Sequence, residues 1–153
     1  MKYRYLSYWK CYLIAAVSMV LYSSCATISR FDEYAYTQVT SVKVDALAIM
    51  DSATTPYAQC AISAKQVLTS LSKMYEYERN RPKDQITVKM IGLMQDSSGH
   101  LFGGFIKRWQ KEGTLDATFI AESKNIIGLA FDQISQLESG KIKPSQVPNT
   151  TNN

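Results

Sequence analysis

Hydrophobic residues recur every three or four positions along most of the chain, the spacing that places them on one face of an α-helix. The first such stripe predicts a helix over residues 30–53, with Ser29 and Asp32 as an approximate capping box at its start. Its apolar positions are Ile28, Phe31, Ala35, Val39, Val42, Ala46, Ile49 and Ala53.

A second stripe follows the segment TTPYAQ. Thr55 is predicted to be the N-cap and Pro56 the first helical residue, where the missing N–H of proline costs nothing. The helix is expected to run to about Arg79, because Pro82 prevents it from going much further. Cys60 lies within the stripe, so we interpret it as a small buried hydrophobe. The apolar positions are Tyr57, Cys60, Ala64, Val67, Leu68, Leu71 and Met74.

The segment after Pro82 is ambiguous. Asp84 is a suitable cap for a helix that runs to about Gln95, but Ile86, Val88 and Met90 also alternate as in a strand. We predict a helix, because a single strand among helices has no partner to pair with.

Glycines divide the rest of the chain. A short helix is predicted over residues 101–111, in which Gly103 and Gly104 indicate either a close packing contact or a hinge. Gly113 ends it. Thr114 is expected to cap a last helix that Gly140 stops. The apolar positions of that helix are Leu115, Phe119, Ile126, Ile127, Ala130, Phe131, Ile134 and Leu137.

These patterns predict an all-α fold, a small bundle of about four to five helices over residues 25–140. The 153-residue chain is long enough for one such domain. The polar, proline-containing segment 141–153 is predicted to be a disordered tail.

The net charge of +4 is concentrated near the N-terminus. Lys2, Arg4 and Lys10 are three of the 17 basic residues, and no acid lies among them. The rest of the chain has 14 basic and 13 acidic residues, so its net charge is +1. The basic composition is therefore poor support for nucleic-acid binding, and no nucleic-acid partner is predicted.

Residues 1–24 have the pattern of an export signal. A basic segment precedes the apolar run 12–22, which is shorter than the ~20 residues that span a bilayer. Ser23, Ser24 and Cys25 follow it. This sequence resembles the lipobox of bacterial lipoproteins, although Tyr22 stands where that family usually has an aliphatic residue.

The resemblance implies a lipoprotein signal peptide over residues 1–24 and a lipid on Cys25, which holds the chain to a membrane. Ala26 after the cysteine implies, by analogy with enteric bacteria, the periplasmic face of the outer membrane. Two alternatives remain open: ordinary cleavage after Ala26, and an uncleaved anchor over residues 11–28. With Cys25 lipidated and Cys11 removed, no intrachain disulfide is expected.

Candidate chemistry is sparse. His100 is the only histidine, and no metal-ligand, phosphate-loop or nucleophile motif occurs. Glu76 and Glu78 should point in different directions on a helix. We therefore predict no catalytic residue, cofactor or metal ligand.

Two groups of side chains have alternative interpretations. The basic residues Arg79, Arg81 and Lys83 are expected to be solvated charge at a helix end, or else a patch facing anionic lipid. Four tyrosines are expected to pack near helix surfaces, or else to form a partner-binding face: Tyr34, Tyr36, Tyr75 and Tyr77.

The sequence thus favours a membrane-anchored, non-enzymatic helical module that works through a protein partner. Two other hypotheses remain. One is an envelope enzyme whose carboxylates and tyrosines converge only in the fold. The other is a phage- or plasmid-encoded surface lipoprotein that blocks the entry of competitors.

Overall fold

The computed structural model describes residues 31–81 and 85–147. Within these ranges the chain is all-α, with five α-helices and no strand, as predicted. The helices are α1 (Glu33–Asp51), α2 (Tyr57–Arg79), α3 (Gln85–Gln95), α4 (Phe102–Glu112) and α5 (Ala117–Glu138). Short 3-10 turns lie at Ser52–Thr54 and Pro144–Gln146. None of the described helices is both long enough and apolar enough to cross a membrane.

Four of the helices form a bundle in which α1 contacts α2 and α5, and α3 also contacts both α2 and α5. Helices α1 and α5 are antiparallel, because Lys43 pairs with Asp132 while Asp51 pairs with Lys124. Helix α4 packs against α2 and α3 at the end of the bundle that holds the α1–α2 turn. This end is fixed by Trp109, which is fully buried and donates from Nε1 to the Thr55 carbonyl at 3.0 Å.

The predicted stripes form most of the core. Fully buried members come from α1, α2 and α5, and include Val39, Ala64, Leu71, Ile127 and Phe131. Residues 85–95 are helical, so the helical alternative was the correct one. Gly113 and Gly140 end α4 and α5 with positive φ angles of 83° and 69°, as the glycine stop signals predict.

The glycine pair in α4 is a packing contact. A Cβ on Gly103 would collide with the Gln95 carbonyl, and one on Gly104 would collide with the Gly99 carbonyl. Only glycine lets the start of α4 approach the preceding turn this closely.

Three predicted helix starts were wrong. Helix α1 begins after Asp32, which is itself the N-cap and accepts from the N–H groups of Tyr34 and Ala35. Ser29 lies outside the described residues, as does Asp84, the expected cap of α3. Thr55 does not cap α2: its hydroxyl donates to the Ser52 carbonyl, because the 3-10 turn continues α1 up to it.

Thr114 does not cap α5 either. Leu115 is buried, and its N–H donates to the Ala53 carbonyl at 2.8 Å, so the chain enters its last helix only after Asp116. The Asp116 carboxylate accepts from the N–H groups of Thr118 and Phe119. The first part of the predicted tail is described and includes the 3-10 turn Pro144–Gln146. Residues 148–153 lie outside the described residues, so the disorder expected of them stays a prediction.

Candidate functional site

An apolar groove runs between α3 and α5, beside the turn that leads into α4. Its volume is about 440 Å³, within the range of ~300–1,000 Å³ usual for small-molecule sites. The residues that define this apolar groove are Met90, Leu93, Met94, Asp96, Gly99, His100, Leu101, Ile126, Leu129, Ala130, Gln133 and Ile134.

Large aliphatic side chains on the walls of the groove are exposed. Leu93 is 38% exposed, Ile126 56% and Leu129 57%. Single exposed hydrophobic residues are ordinary, but several that share one concave surface are typical of a binding site. The periodicity assigned Ile126 to the buried face of its helix, and that assignment was wrong.

The turn over residues 96–101 gives the groove a fixed wall. The Asp96 carboxylate accepts from the backbone N–H of Ser98 at 2.8 Å and from its hydroxyl at 2.6 Å. The hydrogen bond from the Ser98 hydroxyl, and after it the one from the Ser98 N–H, hold the pKa of Asp96 below its usual value, because both favour the charged carboxylate. The close contacts of Gly103 and Gly104 fix the same turn from the other side.

A second cavity, the polar pocket, adjoins the apolar groove and shares His100, Gly99 and Ile126 with it. Its volume is about 350 Å³. It is lined by Gly99, His100, Gly104, Phe105, Arg108, Phe119, Glu122, Ser123 and Ile126.

The charged residues of the polar pocket are held differently. The Arg108 guanidinium lies over the Phe119 ring, with 4.0 Å between its central carbon and the ring centroid, and Phe119 in turn stacks on Phe105. Arg108 Nε also donates to Glu112 at 2.9 Å. Glu122 is exposed on α5 and makes no ion pair within the described part of the chain.

Acids and a tyrosine do converge in the fold, but at the other end of the bundle. We call this group the Arg81 cluster: Asp32, Tyr77, Glu78, Arg81, Thr87 and Glu138. One terminal guanidinium nitrogen of Arg81 lies 2.5 Å from both Glu78 and Glu138. Glu138 also accepts from the Thr87 hydroxyl at 2.9 Å, and Asp32 from the Tyr77 hydroxyl at 2.7 Å.

Burial makes the Arg81 cluster a structural element. Glu78 is fully buried and Glu138 nearly so, while the Arg81 side chain is only 12% exposed. Burial opposes the charge on Arg81, but Glu138 and Glu78 outweigh it and raise the pKa of its guanidinium. The cluster links residues of α2, α3 and α5 to the start of α1. It leaves the acids facing an arginine rather than an open cavity.

The remaining predicted residues have mixed outcomes. The expectation that Arg81 is solvated was wrong, because it meets three carboxylates at this cluster. Glu76 and Glu78 diverge as predicted, since Glu76 is exposed beside Arg79. Cys60 is half-buried against the core and has no disulfide.

The tyrosines do not form one face. Tyr34 is exposed and packs on Tyr77 at 4.9 Å between ring centroids, while Tyr75 packs against the core. Cys25, the predicted lipidation site, and Lys83 lie outside the described residues. Among the residues that the structure describes, no group of acids, cysteines and histidine is arranged to hold a metal ion.

Hydrophobic periodicity did not predict the groove. Ile126 was read as core and Leu129 was not singled out, because periodicity does not distinguish an apolar residue that meets a core from one that lines a groove. The signal that was available is the width of the apolar surface of α5, which exceeds one packing face.

No protein-family model, curated protein or solved structure matches the chain.

Proposed function

We propose that this chain is a lipid-anchored protein of the bacterial envelope, held to the membrane through Cys25, and that its helical domain binds a partner rather than catalysing a reaction. The exposed apolar groove between α3 and α5 is the observation that carries the binding part of the proposal. It is preformed and bordered by a fixed turn, as ligand sites usually are.

The distribution of titratable groups supports binding over catalysis. The acids that converge do so around Arg81, where they serve to hold the bundle together. The groove, in contrast, is lined mainly by aliphatic side chains. A general acid and base must both reach the reacting atoms, and the one carboxylate that lines the apolar groove, Asp96, is already bonded to the N–H and hydroxyl of Ser98.

The geometry of the first described residues supports the anchor. Phe31 is 60% exposed and Tyr34 55% exposed, and both lie at the N-terminal end of α1. Cys25 is only six residues before Phe31, so an extended tether reaches about 20 Å. Aromatic side chains are favoured at the membrane interface. We therefore propose that this end of the bundle lies at the headgroups, with Arg30 beside lipid phosphate.

Metabolic labelling with a palmitate analogue tests the anchor. The wild-type chain should be labelled and recovered with membranes, and Cys25→Ala should lose the label. Cys60→Ala is the matched control, since Cys60 lies on α2 and should leave labelling unchanged. Labelling that persists in Cys25→Ala would rule out lipidation at that residue.

Spin-label accessibility over residues 30–38 in reconstituted membranes tests the placement. Positions near Phe31 should be shielded from water-soluble quenchers more than positions in the tail. Equal accessibility of both segments would contradict the proposed position at the surface.

A further inference from the structure

The apolar groove and the polar pocket meet along one side of α5. The polar pocket contacts Phe119 and Glu122 in the first half of the helix, and the apolar groove continues from Ile126 to Ile134. Gly99, His100 and Ile126 belong to both. The two cavities are therefore neighbouring halves of one amphipathic surface.

From this arrangement we infer that the surface binds a single-chain phospholipid, a lysophospholipid whose head group carries both a phosphate and an ammonium. The aliphatic chain lies in the apolar groove, and the head group lies in the polar pocket. This inference deepens the proposed binding role by naming the ligand, and it does not depend on the lipid at Cys25.

The size of the apolar groove suits one aliphatic chain. A volume of about 440 Å³ accommodates on the order of 15 groups the size of a water molecule, at ~30 Å³ each. That is the bulk of one long aliphatic chain. The exposed side chains of Leu93, Ile126 and Leu129 supply the apolar contacts.

The polar pocket has one positive and one negative side chain, so it suits a head group that carries both a negative and a positive charge. The Arg108 guanidinium lies over the Phe119 ring, and its only hydrogen bond to a described residue is from Nε to Glu112. Its two terminal nitrogens remain available to donate to a phosphate, which planar guanidinium groups bind well. Glu122 lines the same pocket and offers a carboxylate to an ammonium. A purely anionic head group would meet Arg108 but face Glu122 unfavourably.

Photo-crosslinking of the full chain tests the inference directly. The probes are lysophosphatidylethanolamine and lysophosphatidylglycerol, each with a diazirine on its acyl chain, added to membranes that contain the protein. Mass spectrometry of the crosslinked peptides should place the acyl chain on segments 90–101 and 126–134. Unlabelled lysophosphatidylethanolamine should compete, whereas its deacylated head group should not.

Variants separate the two halves of the surface. Leu129→Glu should reduce the crosslink at least tenfold, because it places a charge beside several methylenes of the acyl chain. Burial of each methylene strengthens binding about fourfold. Leu93→Gln is a second, milder variant in case the first one fails to fold, because Leu93 lines the apolar groove and not the polar pocket. Ile62→Glu is the matched control, because Ile62 is also exposed, on α2, outside both cavities, and it should leave the crosslink unchanged.

Head-group variants give an independent readout. Arg108→Gln should weaken capture of both lipids about tenfold, as expected for loss of a charge-assisted hydrogen bond. Glu122→Gln should remove the preference for the ethanolamine lipid over the glycerol lipid. Circular dichroism of each variant should show unchanged helix content.

Three outcomes would overturn the inference. The first is crosslinking confined to residues outside segments 90–101 and 126–134, or unaffected by both groove variants. The second is equal capture of the two lipids by the wild-type chain. The third is a photoreactive amino acid at position 129 that captures a protein and no lipid, which would indicate a protein ligand. Labelling of Cys25 is unaffected by any of these, so the anchor and the ligand can fail separately.

Discussion

Replacing Arg81 with methionine should cause the largest loss of stability of any single charged residue in the described bundle. The change removes the guanidinium and keeps a similar aliphatic stem. Glu78, fully buried, and Glu138, 4% exposed, then lose the nitrogen that lies 2.5 Å from each of them. Asp32 loses a more distant partner, whose Nε lies 3.6 Å from its carboxylate.

The expected cost follows from this burial. Removing one partner of a buried ion pair destabilises a protein by about 3–5 kcal/mol, because the remaining charge is left without compensation. Domains of this size are stable by only about 5–15 kcal/mol in total. The variant should therefore lose about a fifth or more of its stability, with a fall in Tm of about 10–20 °C.

Urea unfolding of the full chain in a mild detergent, followed by far-ultraviolet circular dichroism, measures this loss. Arg79→Met is the matched control, because Arg79 is an exposed arginine two residues away that pairs only with Glu76 among the described residues. The control should change the free energy of unfolding by less than about 0.5 kcal/mol. Equal effects of the two substitutions would refute the structural role of the Arg81 cluster.

Five further substitutions test local features. Gly104→Ala should cost about 1–3 kcal/mol in thermal unfolding, because its Cβ meets backbone. Gly92→Ala, with room for a Cβ on α3, should be neutral or stabilising by up to about 1 kcal/mol, and the opposite ranking would contradict the close packing at α4. Asp116→Ala should lower the free energy of unfolding by about 1 kcal/mol, because it removes the N-cap of α5. Thr114→Ala should lower it much less in the same assay, and equal losses would indicate that Thr114 is the N-cap. The bond from Tyr77, with that from the Ala35 N–H, lowers the pKa of Asp32. The Asp32 carboxylate therefore stabilises the fold above its ordinary pKa, and this stabilisation is lost as the pH falls through its lowered pKa. Asp32→Asn should thus be less stable than wild type at neutral pH, the two should converge once the pH is below the lowered pKa of Asp32, and a pH-independent gap in urea titrations would exclude the charge as its cause.

Periodicity predicted the helices because burial of one face is what fixes them. The stripes of α1, α2 and α5 became core residues such as Val39, Leu71 and Phe131. Helix starts were less predictable, since tertiary contacts select them. Leu115 is drawn into the core and bonds Ala53, so Asp116 rather than Thr114 begins α5.

The Arg81 cluster and the groove are built from residues that are far apart in the sequence, so no local pattern predicts them. Asp32, Glu78 and Glu138 are far apart in sequence and meet only when α1, α2 and α5 assemble. In the same way, Ile126 and Leu129 resemble core residues until the turn at 96–101 leaves a cavity beside them.

Mass spectrometry of the N-terminal peptide of the chain from its native membrane tests the central claim, anchoring through Cys25, most directly. Trypsin cuts after Arg30 and Lys10, so each form of the N-terminus gives a different peptide. A lipid-anchored chain should yield residues 25–30 with a diacylglyceryl group on Cys25. Residues 27–30 without lipid, or the uncut peptide 11–30, would contradict it.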